Sequence, residues 1–113
     1  MESISNSALE AARAQLDAAE SSREEVLLRH IANGVRIQSR TVEIDESVVI
    51  APGAKILSGT ILRGKTVIGA GCVIGPNSLI EDSTVDEGTT VNASQVYGSH
   101  LGPHNNIGPF THV

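Results

Sequence analysis

Residues 44–80 read IDESVVIAPGAKILSGTILRGKTVIGAGCVIGPNSLI, and their spacing decides the fold. Ile44, Ile50, Ile56, Leu62, Ile68, Ile74 and Ile80 recur every sixth residue without a break. Four residues after each stands a small or β-branched one: Val48, Ala54, Thr60, Thr66, Cys72, Ser78 and Thr84. Neither the period of an α-helix nor the alternation of a simple strand produces this double register. A triangular prism does. Each six-residue unit makes one flat side and turns one corner. The aliphatic residue points inward from the side, and the small residue fills the narrower space beside it.

The prolines test this phase independently. Pro52, Pro76, Pro103 and Pro109 each follow a ladder aliphatic (Ile50, Ile74, Leu101, Ile107) by two residues. Proline has no N–H to give a sheet, so it belongs at corners. Gly69, Gly75, Gly102 and Gly108 share the adjoining phase. Beyond Ile80 the period slips. Val85, Val91, Val96, Leu101, Ile107 and Val113 continue the inward ladder with some five-residue steps. This predicts either an irregular coil or a small extruded loop at Tyr97-Gly98-Ser99-His100. Three hexapeptides make one coil, so residues 35–113 are expected to form a left-handed parallel β-helix of roughly four coils, an all-β domain. Its hand is an exception to the usual right-handed crossover and rests on the hexapeptide signature.

Residues 1–34 read differently, as an α-helical arm. Ser7-Ala8-Leu9-Glu10 and Ser22-Arg23-Glu24-Glu25 match the capping-box pattern. Leu9, Ala12, Leu16 and Ala19 recur at helical spacing, as do Leu27, Leu28 and Ile31. Asn33-Gly34 is a stop signal. Helices are expected near 8–20 and 23–32, either separate or fused into one.

Composition narrows the function. With one Phe, one Tyr and no Trp among 113 residues, the core must be thin and aliphatic. A net charge of −5 without a basic stripe argues against nucleic acid. No apolar run approaches the roughly 20 residues of a membrane span. The start, Met1-Glu2-Ser3-Ile4-Ser5, lacks the pattern of a signal peptide. Cys72 is the sole cysteine, which excludes an internal disulfide. These features together point to the cytoplasm. Each rung carries one large aliphatic, whose burial contributes roughly 1.5–3 kcal/mol. Ordering costs about 1–2 kcal/mol per residue. That thin balance predicts burial of a flat face against other copies, as a homotrimer of parallel prisms.

Thr66-Val67-Ile68-Gly69-Ala70-Gly71-Cys72-Val73-Ile74-Gly75-Pro76-Asn77-Ser78 resembles the hexapeptide acyltransferase superfamily. Within it, the chain is most similar to the C-terminal domain of bacterial bifunctional N-acetylglucosamine-1-phosphate uridylyltransferase/glucosamine-1-phosphate N-acetyltransferase. Arg29-His30-Ile31-Ala32-Asn33-Gly34-Val35 resembles that family's linker helix entering its β-helix. Val49-Ile50-Ala51-Pro52-Gly53 resembles an early coil, and Ile107-Gly108-Pro109-Phe110-Thr111-His112-Val113 the coil leading to the acetyltransferase site. The resemblance implies acetyl transfer from acetyl-CoA to glucosamine-1-phosphate, toward UDP-N-acetylglucosamine and cell-wall precursors. The family's Gly-rich nucleotide loop has no counterpart in the sequence. Its acetyltransferase residues follow an Arg-Pro-Gly that the sequence does not contain. No catalytic, cofactor-binding or metal-ligating residue is therefore carried over, and the chain is expected to be the scaffold portion of such an enzyme. The alternatives are a non-catalytic trimerisation or interaction module and a metal enzyme like the γ-class carbonic anhydrases.

Several side chains invite chemistry and have a plainer reading. His100, His104 and His112 suggest zinc, as in γ-class carbonic anhydrases with three histidines. No supporting carboxylate is evident in sequence, so they read as surface or interface residues. Cys72 occupies a small inward slot and reads as a buried thiol. Glu81-Asp82 and Asp86-Glu87 read as solvated corners. Arg63 and Lys65 flank Gly64 and could hold a phosphate, but read as a turn. Asn105-Asn106 supports a tight turn, and Ser22 with Glu25 reads as a cap.

Overall fold

The computed structural model describes residues 3–113; Met1 and Glu2, at the start of the expected arm and signal-peptide reading, lie outside the described residues. These comprise one helix, α1 (Asn6–Ala32), and thirteen short strands. The strands are β1 (Arg36–Ile37), β2 (Glu43–Ile44), β3 (Val49–Ile50), β4 (Lys55–Ile56), β5 (Ile61–Arg63), β6 (Val67–Ile68) and β7 (Val73–Ile74). They continue as β8 (Leu79–Glu81), β9 (Thr84–Val85), β10 (Thr90–Val91), β11 (Gln95–Tyr97), β12 (His100–Leu101) and β13 (Asn106–Ile107). Every third strand pairs in parallel. The result is three faces, β1-β4-β7-β10-β13, β2-β5-β8-β11 and β3-β6-β9-β12. This is a parallel β-solenoid of about four turns, consistent with a left-handed β-helix of hexapeptide repeats.

The register stacks like on like. Ile56 lies over Ile74, Leu62 over Ile80, and Ile68 between Ile50 and Val85. All seven aliphatics from Ile44 to Ile80 are buried, as are Val85, Val91, Val96 and Leu101. Ile107 is half-buried and packs against this core. Val113 departs from the expected ladder: it is exposed, because it sits in the outermost described rung with no rung over it.

The small-residue ladder also needs correction. Val48, Ala54, Thr60, Thr66, Cys72 and Ser78 are buried as expected, but Thr84 faces outward from β9. Ser83 takes the inward slot, followed by Thr89 and Ser94. The first five-residue step thus falls between Ser78 and Ser83. It is absorbed at the Asp82 corner, where φ is +48°. No loop is extruded at residues 97–100, since Tyr97 lies in β11 and His100 in β12.

The hydroxyls explain this ladder's composition. Thr89 Oγ1 donates to the Gly102 carbonyl at 2.7 Å and accepts from the Asn105 N–H at 3.2 Å. Ser94 Oγ donates to the Asn92 carbonyl and accepts from the Thr111 N–H. Ser83 Oγ does the same between the Glu81 carbonyl and the Ser99 N–H. At Ser83, Thr89 and Ser94 the hydroxyl thus satisfies backbone groups that ladder pairing leaves free at corners, whereas the Thr60 hydroxyl is buried without a partner.

The arm is a single unbroken helix rather than two. Ser5, not Ser7, is its N-cap, accepting from the Ala8 N–H at 3.2 Å. Ser22 and Glu25 sit in mid-helix and cap nothing. The Ala, Glu and Arg around them are good helix formers, and propagation through Ser22 is cheaper than a second nucleation. Asn33 closes the helix and Gly34 follows at φ +96°, as the sequence predicts. Val26 and Leu27 join the solenoid core. Arg23 reaches Glu43 at 3.2 Å, and Arg40 reaches Glu24 at 2.8 Å. No helix among the described residues is long and apolar enough to cross a membrane.

Candidate functional site

The face β3-β6-β9-β12 presents Val49, Val67, Thr84 and His100 outward, one per rung and in register. Val49 is 58% exposed and Val67 41%. Alternation along each two-residue strand forces this: Ile50, Ile68, Val85 and Leu101 turn inward, so their neighbours turn out. Beside the face runs a shallow groove of about 260 Å³, lined by Val67, Gly69, Thr84, Asp86, Glu87 and Pro103. Gly69 lets the next rung come close. A Cβ there would lie 2.7 Å from the Glu87 nitrogen.

One polar pair marks this face. His100 Nε2 lies 2.8 Å from Asp86 Oδ2. The Asp86 backbone is held in turn, since its carbonyl accepts from the Cys72 thiol at 3.0 Å. A carboxylate hydrogen-bonded to one imidazole nitrogen orients the ring and leaves the other nitrogen free, an arrangement that can serve a proton acceptor. The sequence reading missed this pair. His100 and Asp86 are fourteen residues apart, and the slipped period hides that their rungs are adjacent. The stacking of β12 on β9 would have revealed it.

The other histidines do not join them. The His104 ring folds over Gly88 at a corner, where His104 itself has φ +55°. His112 meets Tyr97 edge-on, with ring centroids 5.4 Å apart. Among the described residues no three His, Cys, Asp or Glu side chains gather as a metal site.

The remaining candidates have structural tasks. Cys72 is fully buried, and burial pushes its thiol above the ordinary value. Around Gly64, where Arg63 and Lys65 suggested a phosphate, the chain's own carboxylates occupy the amides. Asp45 accepts from the Gly64 N–H at 3.0 Å, and Asp82 from the Lys65 N–H at 2.9 Å. Asp82 is therefore a corner cap, and Asp86 the hydrogen-bond partner of His100 rather than a free carboxylate. The Asn105 side chain closes its turn by donating to the Gly102 carbonyl at 3.0 Å. Acetyl-CoA does not fit the groove as it stands, because Asp86 and Glu87 place negative charge where a diphosphate needs cations.

No curated protein matches the chain. Residues 47–82 match the family described as bacterial transferase hexapeptide (six repeats), and the parallel solenoid runs through that stretch and on either side of it.

Proposed function

We propose that the chain is the scaffold β-helix of a sugar-phosphate acetyltransferase and assembles as a cytoplasmic homotrimer through its flat faces. The exposed, β-branched face of Val49, Val67 and Thr84 carries the reading. It is flat, regular and apolar for half its height, which suits a face of another prism better than water. The resemblance supplies the chemistry: acetyl-CoA as donor and glucosamine-1-phosphate as acceptor in UDP-N-acetylglucosamine synthesis. Purified chain is expected to have the mass of three copies by light scattering. It is expected to release no CoA thiol from acetyl-CoA and glucosamine-1-phosphate. A monomeric mass at micromolar concentration overturns the assembly.

The His100–Asp86 pair favours a second reading, in which this face holds a proton acceptor of its own. Hydrolysis of uncharged p-nitrophenyl acetate by the purified chain, abolished in His100→Ala and reduced at least tenfold in Asp86→Asn, would establish that reading and displace the scaffold one.

A further inference from the structure

A threefold ring cannot be built from one face alone. Each copy must offer one surface to the copy before it and a different surface to the copy after it. The trimer proposed above, on which this inference rests, uses the face β3-β6-β9-β12. Its counterpart is either the β1-β4-β7-β10-β13 face or the β2-β5-β8-β11 face. The arm decides between them. Val26 and Leu27 are buried in the core, Arg23 meets Glu43 on β2 at 3.2 Å, and Glu24 meets Arg40 at 2.8 Å. The helix therefore crosses the end of the prism and leaves past the β2 face, with every side chain from residue 6 to residue 22 exposed. A prism docked on that face would meet the arm. The edge between the β2 and β3 faces is also heavily charged: Asp45-Glu46, then Arg63 and Lys65, then Glu81-Asp82. A threefold axis there would bring each of these charges against its own copies.

We infer that the β3 face of one copy packs on the β1 face of the next, around the edge that carries Pro52, Ala70, Glu87 and Pro103. Its lower corners, Ala51-Pro52-Gly53 and Gly69-Ala70-Gly71, are small and let two prisms come close. The outward residues stand symmetrically about it. Val67 and Val73 lie three residues on either side of Ala70, Thr84 and Thr90 on either side of Glu87, and His100 and Asn106 on either side of Pro103. From one strand to the next the chain rises only about 1.6 Å, a third of the rung spacing. The members of each pair are therefore nearly level. An axis outside this edge brings Val67 of one copy to Val73 of the next, Thr84 to Thr90, and His100 to Asn106. Apolar meets apolar, hydroxyl meets hydroxyl, and imidazole meets amide. Val73 and Thr90 are already half-buried. The β2 face lies opposite this edge, so the three arms point away from the axis and the solenoids do not collide.

Disulfide trapping in the full chain tests the pairing. Cys72 is buried, so the unmodified chain gives the background. Val67→Cys and Val73→Cys combined in one chain are expected to close, under mild oxidation, into a covalent trimer on a denaturing gel, reversed by dithiothreitol. Either substitution alone should give less than a tenth as much linked product. Val67→Cys combined with Ile61→Cys, which moves the second thiol to the β2 face, should do no better than the single variants. Light scattering of the unmodified chain separates this inference from the trimer itself. A mass of three copies without Val67–Val73 linkage, or with linkage through Ile61, overturns the pairing and leaves the trimer standing. A mass of one copy overturns both. Glu87 gives a second readout, because three of its carboxylates come round the axis. Glu87→Gln is expected to lower the trimer dissociation constant at least threefold at low salt. Unchanged or weaker association contradicts this placement of the axis.

Discussion

Two threonines in equivalent slots differ in what they are worth. Thr89 Oγ1 satisfies the Gly102 carbonyl and the Asn105 N–H, whereas Thr60 Oγ1 is buried with no partner. Removing one member of a buried hydrogen-bond set costs about 1–3 kcal/mol, while removing an unpaired hydroxyl is neutral or favourable. Thr89→Val should therefore destabilise by about 1–3 kcal/mol in urea unfolding, and Thr60→Val should leave the midpoint unchanged or raise it. His30 supplies the pH dependence. Burial, aided by neighbouring Arg29, lowers its pKa from the ordinary value. The unfolded chain then binds the proton more tightly, so stability is present above about pH 6.5 and is lost as pH falls through the folded pKa. The melting temperature should drop between pH 7 and pH 5, and drop less in His30→Gln. Each of these residue types could be read in sequence, but not its partners, which come from the rung above or below.

At the scale of elements, the six-residue ladder was fully legible from Ile44 to Ile80 because every step is equal and every side chain is aliphatic. Ile74 is wholly buried between Ile56 and Val91. Ile74→Ala should cost about 2–5 kcal/mol by calorimetry or denaturant titration, as large-to-small core changes do. Gly69 is tighter still. A methyl group there meets backbone atoms of Asp86 and Glu87 that have no flexible side chain to yield. Gly69→Ala should lower the melting temperature and weaken the His100–Asp86 contact, seen as a change in the His100 ring chemical shifts by NMR. The helix was less legible. Two capping-box patterns suggested two starts, yet Ser22 lies mid-helix because nothing in its surroundings stops propagation. A local pattern marks where a helix can begin; neighbouring residues decide whether it does.

The whole molecule is elongated, 54 by 32 by 21 Å, and its core is one side chain wide on each face. Such a body keeps much of its surface on flat sheets. Val67→Glu should dissociate the proposed trimer, measured by sedimentation, while leaving the strand signal in circular dichroism intact. An unchanged mass would place the interface on another face. The candidate site belongs to this scale, because His100 and Asp86 meet only when β12 stacks on β9.

Sequence alone determined that a six-residue period turns residues 44–80 into a stacked three-sided column, because inward aliphatics and corner prolines are local and repetitive signals. Tertiary structure decided where the period slips, that the arm is one helix exposed over residues 6–22, and that His100 faces Asp86. Those outcomes depend on which rung lies on which, and one five-residue step is enough to shift every pairing that follows it.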